Sequence, residues 1–358
     1  MSLRSTLRAA GVGLAALVAL VAMACGGASP PPAAVDVGSG QLNGAGATFP
    51  EPFYTKAFYA YNQKYSQVSV NYQSVGSGAG VQQFTKGTVD FGASDVPING
   101  TEVANAGGAD SLVQIPTTLG VISMAYNLQG VSRLQLDGDT IVKIFQGQIK
   151  RWNDPALTAL NINASLPNKD ITVVHRSDGS GTSYAFTDYL AKQNAGWKDV
   201  GKSIAWPAGV GAKGNDGVAG QVKQTDGAIG YVELAYVVQS GMRQAWVRNK
   251  NGKFLQASVA GATAAAGQAK NVSPTNFSIT DEPGDASYPI TSFSWIFLKK
   301  SQTEATKGKA LVYLFKWLTT DGQAYGKDLQ YAPLPKPVED LATATLKSVT
   351  ANGTALLQ

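Results

Sequence analysis

Three glycine-rich turns, each bearing hydroxyl side chains and each followed by a helix-like run, most constrain how this chain can fold. The richest turn covers residues 175–183 (HRSDGSGTS), between an apolar run over residues 171–174 and an amphipathic run over residues 184–190. The other two turns cover residues 44–50 (GAGATFP) and residues 74–80 (SVGSGAG). Helix N-termini carry unpaired backbone N–H groups, so three such turns predict a binding site for a small anion. The competing interpretation is that each turn only caps its helix.

The surroundings of the turns support the anion-site interpretation. Arg176 adds a guanidinium to the hydroxyls of the longest turn. In the first turn, Thr48 is placed to cap a helix and Pro50 suits a first helical turn. The second turn follows residues 68–72, where apolar and polar side chains alternate as in a half-buried strand.

Strand and helix patterns alternate along the chain, which predicts the α/β class. The predicted strands are residues 68–72, 89–93, 112–115, 119–127, 171–174, 228–232 and 293–298. Further helices are expected to open at Asp139 and at Asp154. Another helix is expected to be capped by Asn215 or Asp216, and a last helix is expected from Pro337 to Val349. A length of 358 residues is sufficient for two domains.

The N-terminus has the features of an export signal. Arg4 and Arg8 precede an apolar stretch over residues 9–24 that is too short to span a bilayer and ends in small residues. We therefore expect residues 1–24 to be a signal peptide. Cys25 is the chain's one cysteine, and its position resembles the acylated cysteine of a bacterial lipoprotein signal. Ala22 stands where that signal usually has leucine, so ordinary signal cleavage is the alternative.

The mature chain carries only a mild positive charge. Arg4 and Arg8 are two of the 29 basic residues, so 27 remain against 24 acidic residues, a net charge of +3. This excess of positive charge favours small anions but is far below the charge that is typical of a nucleic-acid-binding protein. Residues 25–40 are rich in proline and poor in large apolar side chains, which predicts a flexible tether before a fold that begins near Gln41.

Enzyme motifs fit the sequence poorly. One histidine and one cysteine exclude most His/Cys metal clusters and leave Cys–His catalysis without a partner in the fold. The elbow of serine hydrolases needs glycines two residues before and after the serine, but Ser180 has Asp178 and Thr182 there. Gly209 to Gly214 matches a dinucleotide fingerprint without the required strand before it. A binding protein that needs no metal or cofactor is the better class.

Several longer segments resemble one family, the periplasmic phosphate-binding proteins that serve the bacterial ATP-driven (ABC) phosphate importer. The segments follow the family order over roughly residues 42–330. They are residues 44–50 (GAGATFP), 89–95 (VDFGASD), 178–183 (DGSGTS), 213–217 (KGNDG), 227–233 (GAIGYVE) and 288–292 (YPITS).

The resemblance implies a set of phosphate ligands. Carried over position by position, these are Thr48, Phe49 (through its backbone), Ser77, Asp95, Arg176, Asp178, Ser180, Gly181 and Thr182. The sequence departs from the family pattern at two places. His175 stands where the family often has another basic residue, and residues 78–80 are a variant of a Ser/Gly-rich turn. We expect His175 to lie in the strand packing or at the edge of the cleft, with a direct ligand role as the alternative.

Two acids in an anion site need a physical explanation. Phosphate keeps a proton near neutral pH and sulfate does not, so an ionised Asp95 can accept a hydrogen bond from phosphate but repels sulfate. Asp178 is expected to hold the planar guanidinium of Arg176 in position. The alternative makes Asp95 a turn residue and the Arg176–Asp178 pair a surface ion pair.

The resemblance further implies a type II periplasmic binding protein fold, in which two α/β lobes joined by two crossover segments enclose a ligand cleft. One lobe would combine residues 41–118 with residues 291–358, and the other would be residues 119–290. Hinges are expected at residues 117–120 and 290–292. The implied protein is an exported, periplasmic or cell-surface monomer that binds phosphate and meets the membrane permease of the importer. The alternatives are a binding protein for another oxyanion and a secreted phosphatase on the same fold.

Overall fold

The computed structural model describes residues 35–357. The predicted signal peptide, Cys25 and most of the predicted tether therefore lie outside the described residues. The first strand begins at Gly40, and Val37 before it is already buried, so the fold begins close to the expected Gln41. In the part of the chain that is described, no helix is both long and apolar enough to cross a membrane.

Strands and helices alternate as the sequence predicts. The strands are β1 (Gly40–Gly46), β2 (Val68–Ser74), β3 (Phe91–Ser94), β4 (Leu112–Asn127), β5 (Gln135–Leu136), β6 (Thr172–Arg176), β7 (Val210–Ala212), β8 (Ala228–Glu233), β9 (Arg243–Gln244), β10 (Trp246–Arg248), β11 (Phe254–Leu255), β12 (Thr291–Lys299), β13 (Ser301–Gln302), β14 (Thr350–Ala351) and β15 (Thr354–Ala355). The α-helices are α1 (Glu51–Lys64), α2 (Ser77–Thr85), α3 (Gly100–Asn105), α4 (Gly138–Phe145), α5 (Pro155–Leu160), α6 (Gly181–Gln193), α7 (Gly214–Gln224), α8 (Leu234–Gln239), α9 (Val259–Ala266), α10 (Ala305–Leu318) and α11 (Lys336–Leu346). Short 3₁₀ helices cover Ala109–Ser111, Asp321–Tyr325 and Lys327–Leu329.

The main sheet has a parallel group of strands on each side of a long antiparallel pair. Its order is β2-β1-β3-β12-β4-β8-β6-β7, and β9 pairs with β4. On one side β1 runs parallel to β2 and β3, and on the other side β6 runs parallel to β7 and β8. Helices connect the parallel strands, as right-handed βαβ crossovers require. The carboxyl ends of β1, β3, β6 and β7 are where a ligand of such a sheet is expected.

Strands β4 and β12 join the two sides of the sheet. The first part of β4 pairs with β12, and residues from Ile122 onward pair with β8. Both strands are buried along almost their whole length, with rows of apolar side chains such as Ile115, Leu119 and Trp295 in the core. Continuous apolar strands are typical of sheets covered on both faces.

One strand prediction was wrong. The sequence indicates two strands, residues 112–115 and 119–127, but the structure has the single strand β4. Pro116 lacks an N–H group, which argued for a break. The pairing of β4 with β12 accommodates Pro116 through a register shift, because Ser294 pairs with Thr118 while Trp295 pairs with Pro116. Thr117 is the extra residue of this bulge, and it lies in one of the predicted hinges.

Three helix starts also differ from the prediction. Helix α1 has Pro50 at its N-cap position and no side-chain cap, so Thr48 does not cap it and Pro50 is not in its first turn. Helix α4 is capped by Asp137 through a capping box with Thr140, rather than opening at Asp139. Helix α7 has no side-chain cap, so Asn215 does not cap it, and neither does Asp216. At Asp154 the predicted cap is present.

Candidate functional site

Polar side chains from both sides of the main sheet meet at the carboxyl ends of its strands. Thr48 follows β1, Ser77 opens α2, Asp95 follows β3, Arg176 ends β6 and Thr182 lies in the first turn of α6. All five are at most 4% exposed. Buried polar groups need hydrogen-bond partners, so the contacts among these residues define what the site can bind.

The turn after β6 presents the N-terminus of α6 to the site. Ser180 is the N-cap, and its Oγ accepts a hydrogen bond from the backbone N of Ser183 at 3.0 Å. The first turn of α6 places Gly181 directly against Asp95, where a Cβ on residue 181 would lie 2.6 Å from the Asp95 Cβ. Only glycine allows this close approach of backbone to side chain. The positive end of the helix dipole therefore faces Asp95 and its surroundings.

The turn before α2 contacts the turn after β6 directly. The Ser77 Oγ accepts a hydrogen bond from the backbone N of Gly181 at 3.0 Å, and the backbone N of Gly78 donates to the Gly179 carbonyl at 2.8 Å. Gly76 precedes the helix with a φ of 93°, a conformation that glycine adopts without strain. A Cβ there would also lie 2.3 Å from the Asp178 Oδ2. The two helix N-termini thus meet at one place.

Arg176 is held by Asp178 in a planar fork. The Arg176 Nε donates to the Asp178 Oδ1 at 2.7 Å, and Nη2 donates to Oδ2. The backbone N of Gly214 adds a third hydrogen bond to Asp178 at 3.0 Å. Burial raises the pKa of Asp178, but the hydrogen bonds and charge of Arg176 outweigh it and hold this pKa below its ordinary value. Asp178 is therefore ionised at neutral pH, and the guanidinium of Arg176 is oriented with Nη1 toward Thr182.

Asp95 is a buried acid with hydroxyl partners. The Ser294 Oγ donates to Asp95 Oδ1 at 2.9 Å, and the Thr182 Oγ1 donates to Oδ2 at 3.4 Å. Burial raises the pKa of Asp95 to about 7, although Ser294, the charge of Arg176 and Thr182 act to lower it. Asp95 can therefore exist in either protonation state close to neutral pH.

Thr48 and Phe49 are fixed by residues far along the chain. The Thr48 Oγ1 accepts hydrogen bonds from the backbone N and the Nδ2 of Asn215, at 3.2 and 2.9 Å. The Thr48 carbonyl accepts from the Tyr236 hydroxyl, and the Phe49 carbonyl accepts from the Tyr331 hydroxyl. The Phe49 ring is wholly buried against Tyr331. The sequence predicts that Thr48 caps a helix, whereas in the structure its hydroxyl accepts hydrogen bonds from Asn215 at the site.

His175 lies beside the site and packs on an aromatic side chain. Its ring stacks on Trp206 at a centroid distance of 5.0 Å, and its Nδ1 is 3.1 Å from the Arg176 carbonyl oxygen. Burial lowers the pKa of His175, which keeps the ring neutral at neutral pH. This placement agrees with a packing role for His175.

Three buried polar residues at the site were missed as functional residues. Asn215 belongs to one of the family-like segments but was interpreted only as a helix cap. Ser294 interrupts the apolar run of β12, and a polar residue within a fully buried strand is a signal that was available. Glu233 ends β8 wholly buried, and burial raises its pKa well above the ordinary value. Its Oε2 accepts from the backbone N of Ala235 and from the Tyr331 hydroxyl.

The arrangement is chemically that of an oxyanion site with one acidic acceptor. It combines a fixed guanidinium, several hydroxyls and two helix N-termini, all of which donate hydrogen bonds or carry positive charge. Asp95 is the exception, because a carboxylate accepts hydrogen bonds. A tetrahedral oxyanion that carries a proton satisfies both kinds of group.

Comparison with known proteins gives the class and the family. Residues 31–320 match the family model described as a PBP superfamily domain. The phosphate-binding protein PstS of Pasteurella multocida (strain Pm70) is 42% identical over 304 residues, covering 83% of this chain and 87% of the relative. PstS of Xylella fastidiosa (strain 9a5c) is 40% identical over 317 residues, covering 87% and 86%.

Solved structures show the same fold at lower identity. The high-affinity periplasmic phosphate-binding protein PfluDING, solved with bound phosphate, superposes with a TM-score of 0.73 at 21% identity, covering 88% of this chain and 96% of that one. The phosphate-binding protein of Stenotrophomonas maltophilia gives a TM-score of 0.68 at 20% identity, covering 88% and 97%.

The chain is therefore a binding protein of the PBP superfamily with the α/β type II periplasmic binding protein fold, and the predicted fold class is confirmed. Within that class it belongs to the family of phosphate-binding proteins named PstS, whose members are binding proteins rather than enzymes.

Proposed function

We propose that this protein binds inorganic phosphate outside the cytoplasmic membrane and delivers it to the permease of an ABC-type importer. The observation that carries the proposal is the buried meeting of Arg176 and Asp95, which come from opposite sides of the sheet and share Thr182 as a partner. A cation and an acceptor at one site suit an anion that still carries a proton. The names of the relatives agree with this ligand.

The proposed ligand groups are those that the family resemblance implies. The guanidinium of Arg176 supplies charge and paired donors, with Asp178 holding its orientation. Hydroxyls and the N–H groups of helix N-termini supply the remaining donors. The full set is Thr48, the backbone of Phe49, Ser77, Asp95, Arg176, Asp178, Ser180, Gly181 and Thr182.

Asp95 would give the site its selectivity against sulfate. A phosphate hydroxyl donates to the ionised carboxylate, whereas sulfate presents only lone pairs to it. A ligand that leaves a buried polar group unpaired can be rejected by roughly 10⁴ to 10⁵. The burial of Asp95 supports this role, because bulk water cannot screen the repulsion.

Closure of two lobes would couple phosphate binding to transport. The proposed lobes are residues 41–118 with residues 291–358, and residues 119–290. The change of partner along β4 and the bulge at Thr117 support hinges at the lobe boundary. The ligand groups divide between the two lobes, so bound phosphate favours the closed arrangement, which the permease would recognise.

Export and attachment complete the proposal. The signal peptide over residues 1–24 would direct the chain out of the cytoplasm, and acylation of Cys25 would anchor it to the membrane through the tether of residues 25–40. The protein would act as a monomer at that surface. Replacing Cys25 by serine should then move the protein from the membrane fraction to the soluble fraction of fractionated cells, and a wild type that is already soluble would contradict the anchor.

Titration of the purified mature chain tests the central proposal. Isothermal titration with phosphate should give a dissociation constant of about micromolar or tighter, near −8 kcal/mol. Sulfate should give no heat at the same concentrations. Arg176→Ala should weaken phosphate binding by at least about a hundredfold, because it removes a charge-assisted, bidentate donor. Wild-type affinity in that variant, or equal binding of both anions, would contradict the proposal.

A further inference from the structure

Asn215 lies between two of the proposed ligand hydroxyls. It is the second residue of α7, and its side chain is wholly buried. Its Nδ2 donates to the Thr48 Oγ1 at 2.9 Å and to the Thr182 Oγ1 at 3.2 Å. These two threonines are 134 positions apart in the chain and belong to opposite sides of the sheet, so one amide group connects the two halves of the site.

The orientation of this amide is fixed by the backbone. The Asn215 Oδ1 accepts a hydrogen bond from the backbone N of Glu233 at 2.9 Å. Only an oxygen can accept that bond, so the NH₂ group must face the two threonines. Glu233 ends β8 within the main sheet, so the orientation of the amide depends on a rigid element.

The contacts of Asn215 determine which way the two hydroxyl hydrogens point. A hydroxyl has one hydrogen and two lone pairs. The Thr48 Oγ1 accepts twice from Asn215, from its backbone N and from its Nδ2, and within residues 35–357 no acceptor takes the Thr48 hydrogen. The Thr182 Oγ1 accepts from Asn215 and, at 3.4 Å, from Arg176. The Thr182 hydrogen is directed at the Asp95 Oδ2, 3.4 Å away. Both hydroxyls therefore act as donors, and the Thr48 hydrogen is the one left for a ligand.

We propose that Asn215 is a positioning residue for anion binding, which fixes the Thr48 hydroxyl as a hydrogen-bond donor toward the bound phosphate and the Thr182 hydroxyl as a donor to Asp95. The inference rests on the proposed function. Without Asn215 the Thr48 hydroxyl could rotate and present a lone pair to the ligand. The site would then have to reorder this hydroxyl on binding, which lowers affinity although no ligand group has been removed.

A double-mutant cycle tests whether Asn215 acts through Thr48. Asn215→Ala and Thr48→Val should each weaken phosphate binding by about tenfold, as expected for a neutral hydrogen bond. The double variant should lose only about 10- to 20-fold, because the amide has nothing to orient once the hydroxyl is absent. A loss of about a hundredfold, the product of the two single effects, would overturn the inference. So would wild-type affinity in Asn215→Ala.

Asn215→Asp separates positioning from a structural role in α7. Aspartate has the same size and is at least as favourable as asparagine in a first helical turn, so a structural role predicts unchanged binding. The proposal instead predicts that phosphate binding is weakened. The new carboxylate cannot donate, the Thr48 hydroxyl would turn to donate to it, and phosphate affinity should fall by at least about a hundredfold. Near-wild-type affinity of this variant would overturn the inference, and the variant carries the test if Asn215→Ala does not fold.

Controls separate this inference from the proposed function. Asn249→Ala removes another buried amide, one that donates to the backbone carbonyls of Gly284, Asp285 and Ser287, and it should keep phosphate affinity within about twofold. Melting without phosphate and circular dichroism check that each variant is folded. A wild type that does not bind phosphate contradicts the proposed function, whereas a binding wild type with unaffected Asn215 variants contradicts this inference alone.

Discussion

Asp95 combines two properties that rarely occur together, burial and, among residues 35–357, the absence of a direct ion pair. Its carboxylate oxygens are bonded to the hydroxyls of Ser294 and Thr182, and Arg176 acts on it by charge through space. Hydroxyls can donate to a carboxylate or accept from a carboxylic acid, so they stabilise both protonation states. The site can therefore adjust its proton content to the ligand that it holds.

The selectivity assigned to Asp95 predicts the behaviour of Asp95→Asn. An amide can donate to an oxyanion and carries no charge, so the repulsion of sulfate is lost. The ratio of sulfate to phosphate dissociation constants, expected near 10⁴ in the wild type, should fall by at least about a hundredfold. Competition of the two anions in calorimetric titrations measures the ratio.

Asp90→Asn is the matched control for that variant. Asp90 lies just before β3, but its carboxylate pairs with Lys307 and with the backbone N of Asn43, away from the site residues. Its replacement should leave the anion ratio unchanged. A ratio that stays at the wild-type value in Asp95→Asn would show that the carboxylate does not select against sulfate.

The raised pKa of Asp95 predicts how stability depends on pH in the absence of phosphate. The pKa is about 7 in the folded chain and near 3.8 in the unfolded chain, so between these values the folded state binds more protons. Stability should therefore fall as the pH rises from about 4 to 7, by up to about 4 kcal/mol from this group. Urea denaturation at a series of pH values measures the fall. Asp95→Asn should remove this part of the pH dependence, and an identical profile in wild type and variant would contradict the assignment.

At the residue level the sequence predicted which side chains lie together but not how they are held. The hydroxyls, Arg176 and Asp95 could be found because each follows a strand or opens a helix, which is a local pattern. The partners of Thr48 could not, because Asn215 and Tyr236 are 167 and 188 positions away and no local pattern relates them. Asn215 therefore looked like a helix cap until its long-range contacts were known.

At the scale of elements, the packing of α2 on the sheet sets the position of Ser77. A Cβ on Gly80 would lie 2.3 Å from the Gly46 Cα and 2.6 Å from the Ala45 carbonyl oxygen. Both contacts are to backbone, which cannot move aside within the paired strand β1. Gly80 thus lets α2 approach the sheet closely enough for Ser77 to reach Gly181.

Gly80→Ala should displace α2 and weaken both the fold and the site. Overpacking of this kind costs about 1 to 3 kcal/mol, which should appear as a lower urea midpoint. Because Ser77 moves with its helix, phosphate affinity should also fall, by about tenfold if one hydrogen bond is lost. Both quantities are measured on the same preparation.

Gly220→Ala is the matched control, because this helical glycine has room for a methyl group whereas Gly80 does not. Gly220 lies in α7 with no atom within 4 Å of a Cβ at that position, so alanine should fit without strain. It should stabilise the protein by about 0.5 to 1 kcal/mol and leave phosphate affinity unchanged. If Gly80→Ala behaved in the same way, close packing of α2 would not be what places Ser77.

Elements were predicted best where the chemistry of one segment decides the outcome. The cap at Asp154 and the strand over residues 228–232 depend on local sequence and were correct. The division of β4 into two strands was wrong because a proline usually ends a ladder. Here its partner β12 shifts register by one residue, and that accommodation depends on a segment almost 180 positions away.

At the scale of the whole molecule, the site is made by both sides of one sheet and cannot form from either alone. Besides the contacts of Asp95 with Thr182 and of Thr48 with Asn215, Lys202 forms a salt bridge with Glu102, which lies in α3. Such a partly exposed pair contributes little to stability, about 0 to 1 kcal/mol. The hydrogen bonds of Ser77 with Gly181 and of Thr48 with Tyr236 also join the two sides, and bound phosphate is expected to add to these direct contacts between the proposed lobes.

Phosphate should accordingly stabilise the protein as a single unit. At a free concentration 1,000 times the dissociation constant, a ligand that binds only the folded state adds about 4.1 kcal/mol. For a chain of this size we expect the melting temperature to rise by at least about 5 °C, in one transition, with no rise in sulfate. Calorimetric melting of wild type and Arg176→Ala makes the comparison, since a variant weakened at least about a hundredfold should keep at most about 1.4 kcal/mol of this stabilisation, about a third of the wild-type shift. Two transitions of which only one responds to phosphate would mean that the ligand is held by one lobe, and closure could not then follow from binding.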